Sequence, residues 1–312
     1  MKAVIYNRGG SPDFLECREV EKPTPRGNQV LVRIIAASVN AADYRSMRMG
    51  IIPKRKIFGA DIAGRVAEVG ASVIKLKIGD EVFGDISGSG FGGFSEYVTV
   101  PENILALKPS SVSFENAAAV PMAAVTALQA MRDQGNIQAG QKVLVYGAGG
   151  GVGSFSVQLA KYFGAEVTTV CSSRNVDMVR LLGADHVIDY TKQDFIASGT
   201  QFDLIMAVNG NRPLPVYMRM LAPRGITVVI GGALSQVTKT ILFGGLMSIG
   251  GKKIRILAAK PSTKDLEFII KLVEEGKVKP VIDRRYNLQQ TAEAMQYLGQ
   301  GHACGKVIIN VG

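Results

Sequence analysis

Val143-Leu144-Val145-Tyr146-Gly147-Ala148-Gly149-Gly150-Gly151-Val152-Gly153 is the stretch on which the fold turns. An apolar run suited to a buried strand enters a glycine-rich turn, and Val152, Phe155, Leu159 and Phe163 then recur at helical spacing, which gives the following helix a face to lay on a sheet. In a strand–turn–helix of this kind the backbone can approach a pyrophosphate at the helix amino terminus, where free N–H groups and the helix dipole favour an anion. The strict G-x-G-x-x-G spacing is not met, because position 152 is Val; Gly147, Gly150 and Gly153 recur at threes instead. A glycine-rich loop can also be simply a turn, so the context has to decide.

From Gln141 to about Ala258 the pattern alternates. Strands read at Lys142 to Tyr146, Glu166 to Cys171, His186 to Asp189, Phe202 to Val208, Ile226 to Gly231 and Ile254 to Ala258, with helical segments between them. That alternation implies a parallel, doubly wound α/β sheet and supplies the context a dinucleotide site requires. Before it, residues 1 to about 110 read as short strands between Gly, Pro, Asn and Asp, as in Val30 to Ile34 and Ser95 to Val100, until the alanine-rich run at 117–125 turns helical. After it come helices from Thr263 to Glu275 and Leu288 to Leu298 and a closing strand from Lys306 to Val311. A chain of 312 residues accommodates two cores. The expected domains are 1–119 with 259–312, rich in β structure, and 120–258, which binds the nucleotide, with a cleft between them as the place for chemistry.

A formal net charge of +10 favours anionic partners: a nucleotide cofactor, nucleic acid or an acidic membrane surface. The densest basic clusters, Lys54-Arg55-Lys56 and Lys252-Lys253-Ile254-Arg255, are short, so nucleic acid is not the expected partner. Three scattered cysteines with no C-x-x-C pair suggest neither a disulfide framework nor a cysteine zinc site, and with two histidines metal ligands are scarce. No apolar stretch reaches membrane-spanning length and the amino terminus reads as a strand rather than a signal peptide, so a cytoplasmic setting is expected.

The second strand of the α/β region ends in Cys171-Ser172-Ser173-Arg174, where NAD sites usually offer an acid to the ribose hydroxyls. A 2′-phosphate would be repelled by a carboxylate and welcomed by two hydroxyls and a guanidinium, so NADPH is the expected cofactor, with Ser172, Ser173 and Arg174 as its specificity residues. The plainer reading of Arg174 is a solvated residue at a helix start.

At this point the chain resembles the medium-chain dehydrogenase/reductase superfamily, and within it the zinc-free quinone oxidoreductases related to zeta-crystallin. The resemblance spans nearly the whole chain. It rests on Val39-Asn40-x-x-Asp43, Gly59-x-Asp61-x-x-Gly64, Gly79-Asp80-x-Val82, Gly92-Gly93-Phe94-Ser95-Glu96-Tyr97, Gly147-x-x-Gly150-Gly151-Val152-Gly153 and Gly305-Lys306-Val307. It implies a GroES-like β-rich domain, a Rossmann domain inserted near its end, and commonly a homodimer. Where zinc-dependent relatives carry a catalytic cysteine this chain has the neighbourhood of Asn40, and where they carry Gly-His-Glu it has Gly59-Ala60-Asp61; the cysteine-rich zinc lobe is missing as well. Alcohol dehydrogenation by the zinc mechanism is therefore not expected.

What the resemblance implies is hydride delivery from NADPH to an electron-poor carbon of a quinone or an enone, with lipid-derived alkenals, or a non-catalytic NADPH- or RNA-binding role, as alternatives. By resemblance, Asn40 and Tyr44 lie near the nicotinamide and substrate, Thr126 near the nicotinamide ribose and Tyr190 near the 2′-phosphate. Gly147, Gly150, Gly151, Val152 and Gly153 hold the pyrophosphate, Val208-Asn209 and Ile230-Gly231 line the cofactor, and Lys306 approaches from the returning tail. Tyr44 is open between a hydrogen-bond donor and a stacking wall, Asn40 and Asp43 can equally hold a turn, and Asp61 reads as structural. The choice of acceptor depends on the segments Met47 to Lys56 and Leu234 to Gly250.

Overall fold

The chain opens with an antiparallel pair, β1 (Lys2–Tyr6) and β2 (Leu15–Glu19), and continues through β3 (Gln29–Val39), α1 (Ala41–Arg48), β4 (Asp61–Val69), β5 (Glu81–Asp85), β6 (Tyr97–Pro101), β7 (Ala106–Leu107), α2 (Phe114–Ala119) and α3 (Pro121–Gln129). Then come β8 (Lys142–Tyr146), α4 (Gly151–Tyr162), β9 (Glu166–Cys171), α5 (Val176–Leu181), β10 (His186–Asp189), β11 (Phe202–Val208), α6 (Leu214–Met220), β12 (Leu221–Ile230), α7 (Leu234–Phe243) and β13 (Lys253–Ile256). The tail adds α8 (Thr263–Glu274), β14 (Ile282–Asn287), α9 (Thr291–Gly299) and β15 (Lys306–Asn310). This structure, a computed structural model, describes residues 1–7, 10–193, 199–232, 234–245, 248 and 251–312. It divides into two compact units, Met1–Val125 with Pro261–Gly312, and Thr126–Lys260.

In the first unit β3 is the axis of a seven-stranded sheet ordered β14-β15-β3-β4-β5-β7, with β6 also on β3. Its residues are buried on both faces, as the nearly unbroken apolar run Val30-Leu31-Val32-x-Ile34 requires. Tyr6, Phe58, Ile62 and Phe94 sit in its core, Tyr6 and Phe58 meeting edge to face with ring centroids 5.1 Å apart. The tail strand β15 returns antiparallel to β3 with Val307 opposite Val39, and β4 lies on the other side with Asp61 opposite Ser38. Continued by one residue, that register sets Lys306 opposite Asn40.

In the second unit six parallel strands take the order β10-β9-β8-β11-β12-β13, the doubly wound arrangement whose direction of winding reverses between β8 and β11. Phe202, Ile205 and Tyr217 fill one side of its core. The helix after the glycine turn is buried from Gly153 to Ala160 rather than along one face, and its small polar groups are satisfied locally: Ser154 Oγ donates to the Gly151 carbonyl and Ser156 Oγ to that of Val152, each at 2.9 Å. β12 begins at Leu221, five residues before the apolar pattern, because the Pro223-Arg224-Gly225 punctuation is absorbed as an irregularity in its pairing with β11, with Arg224 at φ 66°. The expected Leu288 to Leu298 helix is split into a 3-10 turn, Leu288–Gln290, and α9. Among the described residues no helix is long and apolar enough to cross a membrane.

Candidate active site

Because all six strands of the second unit run parallel, the turns after β8, β9, β11 and β12 emerge at one edge of its sheet, where open α/β folds bind ligands near the reversal. That edge carries Gly147 to Gly153, Ser172 to Arg174, Val208-Asn209 and Ile230-Gly231. Gly147 takes φ 79°, and a Cβ there would collide with the Val208 carbonyl oxygen. At Gly153 a Cβ would overlap the Gly147 carbonyl oxygen and lie 2.7 Å from Ala148 Cα, and at Gly149 it would meet the Asn175 amide. Gly150 differs: nothing lies within 4 Å of its Cβ position, and it caps α4 without a side-chain cap hydrogen bond among the described residues. Three tight glycines thus shape the turn and one open position leaves a cradle with free backbone donors, which fits a pyrophosphate.

Val208 and Ile230 are buried, whereas Asn209 is exposed with φ 53° and donates its N–H to Ile230 O at 2.9 Å. Thr126 is buried on α3. Arg174 is exposed and makes no hydrogen bond or ion pair among the described residues, and Tyr190 is 52% exposed. Ser172 Oγ accepts from Asn175 Nδ2 at 3.2 Å. The Ser173 hydroxyl is turned onto Asp189 at 2.5 Å. The absence of an acid after β9 is therefore offset by one from β10.

In the first unit the ends of β3, β4 and β15 bring together a buried polar cluster. Lys306 Nζ, on a side chain 3% exposed, donates to Asn40 Oδ1 at 2.6 Å and to Asp61 Oδ2 at 3.2 Å. Asp61 also accepts from Ser38 Oγ at 3.0 Å, Asn40 Nδ2 at 2.9 Å and the Met122 N–H at 3.0 Å. With its second amide hydrogen near Ser38 O at 3.4 Å, Asn40 has both donors turned inward and keeps one lone pair on Oδ1. Asp43 holds the start of α1, accepting from the N–H groups of Asn40 at 2.9 Å and Gly59 at 3.2 Å. The Tyr44 ring packs against Gly299 of α9, and its hydroxyl makes no hydrogen bond among the described residues. The role of Asp61 as the hub of this cluster was hidden in sequence, because its partners lie 21, 23, 61 and 245 residues away.

Burial pushes the Asp43 carboxyl up to about 7 against the opposing effect of the Asn40 N–H, with the Asp61 charge raising it further. Burial and Asp61 likewise raise Asp85. A carboxyl that holds its proton more tightly when folded stabilises the fold most below its ordinary value of 3.8 and loses that contribution as pH rises through about 7. Melting temperature is accordingly expected to fall between about pH 5 and about pH 8, and Asp43→Asn to flatten that slope. An unchanged slope in the variant would assign the titration to other groups.

Comparison with known proteins places this geometry. Residues 26–110 match the alcohol dehydrogenase GroES-like domain and residues 182–309 the family described as zinc-binding dehydrogenase. Over 99% of this chain and 98% of the relative, the protein is 35% identical to the chloroplast envelope quinone oxidoreductase homolog of Arabidopsis thaliana. The chain belongs to the medium-chain dehydrogenase/reductase superfamily. Within that superfamily it is also 32% identical to the chloroplastic NADPH-dependent alkenal/one oxidoreductase of Arabidopsis thaliana, over 99% of this chain and 79% of the relative. A solved structure of the quinone oxidoreductase from Coxiella burnetii superposes with a TM-score of 0.90 at 29% identity, covering 100% of this chain and 99% of that one. Membership makes the protein an oxidoreductase and accounts for both units, the GroES-like β-rich one and the Rossmann one.

Proposed function

We propose that the protein is a zinc-independent, NADPH-dependent reductase of quinones or of α,β-unsaturated carbonyl double bonds. The observation that carries the reading is the edge of the parallel sheet, where an open glycine cradle accompanies an exposed guanidinium, Arg174, that no carboxylate occupies among the described residues. When bound, NADPH supplies a hydride from its nicotinamide ring. The turn from Gly147 to Gly153 holds the pyrophosphate through backbone N–H groups at the start of α4, and Arg174 with the hydroxyls of Ser172 and Tyr190 holds the 2′-phosphate. Thr126, Val208, Asn209, Ile230 and Gly231 line the remainder of the cofactor.

On the first unit the Tyr44 hydroxyl donates to the oxygen of the acceptor, while Asn40 and Lys306 hold one another in place. The amide of Asn40 and the carboxylate of Asp61 are both engaged by the Lys306 ammonium, a donor set already satisfied by a cation, which supports chemistry without a metal. The relatives named for quinone and alkenal/one substrates support the acceptor class. So does the strip Met49, Ile51 and Ile52, 63%, 46% and 47% exposed, which suits an apolar acceptor. Of the segment 234–250 also expected to shape that choice, residues 246, 247, 249 and 250 lie outside the described residues.

Arg174→Ala is expected to weaken NADPH binding by about 1.5–3 kcal/mol, the range for a hydrogen bond to a charged group, or roughly tenfold to hundredfold, and to leave NADH nearly unaffected. Titration of both nucleotides into the two proteins checks this. An unchanged NADPH-to-NADH ratio would remove Arg174 from the specificity site.

A further inference from the structure

We propose that Asp189 is the positioning residue behind the preference for a 2′-phosphate, acting by stapling the loop that carries Arg174 to the loop that carries Tyr190; the inference rests on the NADPH reading above. Parallel pairing sets Asp189, at the end of β10, beside Cys171, at the end of β9, and the Tyr190 N–H donates to Cys171 O at 3.1 Å. From there the buried carboxylate reaches both loops. Its Oδ2 accepts from Ser173 Oγ at 2.5 Å, and its Oδ1 accepts from the Thr191 N–H at 3.0 Å and Thr191 Oγ1 at 2.7 Å. The two hydroxyl oxygens stand 2.8 Å apart.

Two hydroxyl protons therefore serve three contacts, and both stay inside the triad whichever way the Ser173–Thr191 contact runs. Ser173 has no hydroxyl proton to offer an external anion, which leaves Arg174, Ser172 and Tyr190 as side-chain donors. Ser172 keeps its own proton, since its oxygen accepts from Asn175. A bare carboxylate here would repel a phosphate. With the Thr191 N–H and at least one hydroxyl proton directed at it and Lys192 Nζ 3.8 Å from Oδ2, the Asp189 charge is directed to holding the loops instead. The bonds from Ser173 and Thr191 also hold its carboxyl below the ordinary carboxylate value, so it stays ionised at neutral pH.

Ser173 and Thr191 each adjoin a proposed phosphate ligand, Arg174 and Tyr190. Loosening the staple makes the phosphate order those ligands on binding, a cost that NADH, which lacks the 2′-phosphate, does not meet. The test titrates NADPH and NADH into wild type, Asp189→Asn and Thr191→Val, with the melting temperature of each protein measured without nucleotide. Asp189→Asn is expected to weaken NADPH about tenfold and NADH less than about twofold, and Thr191→Val, which removes the hydroxyl contacts to Asp189 and Ser173 but keeps the Thr191 N–H and Ser173 bonds to the carboxylate, to move the ratio the same way by roughly threefold. Should Asp189→Asn not fold, Thr191→Val decides alone. Tighter NADPH binding in Asp189→Asn would show the carboxylate acting by repulsion and overturn the proposal. Equal weakening of both nucleotides, or no change, overturns it as well. A wild type without preference for NADPH defeats the reading beneath and this inference with it, whereas a preference that survives both substitutions defeats the inference alone.

Discussion

Gly153→Ala is expected to abolish nucleotide binding at ordinary concentrations, raising the dissociation constant roughly 100-fold or more, or about 2.7 kcal/mol. The cause is space, not conformation. The added carbon would overlap the Gly147 carbonyl oxygen and press on Ala148 Cα at 2.7 Å, and both belong to the backbone of the turn proposed to cradle the pyrophosphate. Neither can swing aside as a long side chain would, so the turn itself must move, and overpacking of this kind costs about 1–3 kcal/mol of stability as well. Gly150→Ala is the control, because a Cβ there meets nothing within 4 Å. It should leave the melting temperature of the nucleotide-free protein intact and weaken binding only by crowding the phosphate. Equal stability loss in the two variants, or NADPH affinity in Gly153→Ala within about threefold of wild type, would contradict the assignment of this turn.

Lys306→Met is expected to have the largest effect on stability. It keeps the length of the side chain and removes the one cation bonded to Asp61 among the described residues; Asp61 is fully buried, in a cluster that also holds Asp43 and Asp85. Removing one partner of a buried ion pair typically costs about 3–5 kcal/mol, because the remaining charge stays out of water. Asp61 keeps its bonds from Ser38, Asn40 and Met122, which argues for the lower end of that range. The sign with pH follows from Asp43 and Asp85, whose carboxyls burial raises to about 7 and about 6: the deficit should grow as pH rises and they ionise, and shrink towards about pH 5. Urea unfolding at the two pH values measures it. A loss below about 1 kcal/mol at pH 8, or a deficit that grows on acidification, would show that Lys306 does not neutralise this cluster.

Much of the fold was legible because it depends on local signals. The strand, the glycines and the helix after them are contiguous, and the alternation from Lys142 onward needs only periodicity to imply a parallel sheet. The geometry of the candidate site was legible where turns at strand ends carry it, as with the open position at Gly150 and the exposed guanidinium of Arg174. It was not legible where register decides. Asp189 lies 16 residues beyond Ser173, and only the parallel pairing of β9 with β10 brings its carboxylate to that hydroxyl. Lys306 meets Asn40 across 266 residues because β15 returns to β3, a contact that the Gly305-Lys306-Val307 motif marks without specifying a partner. Asn40 is bonded inward through that same contact. Tyr44 depends on α9 approaching closely enough at Gly299 for its ring to pack there, which helical spacing in α1 does not reveal.

The most direct measurement of the central claim is NADPH oxidation by the purified protein against a panel of quinones, enones, alkenals, simple ketones and alcohols, repeated with NADH and after treatment with a chelator. The expected result is turnover with quinones or conjugated carbonyl compounds, faster with NADPH than with NADH, absent with simple ketones and alcohols, and unchanged by the chelator. Activity lost on chelation, or confined to simple ketones or alcohols, would contradict it.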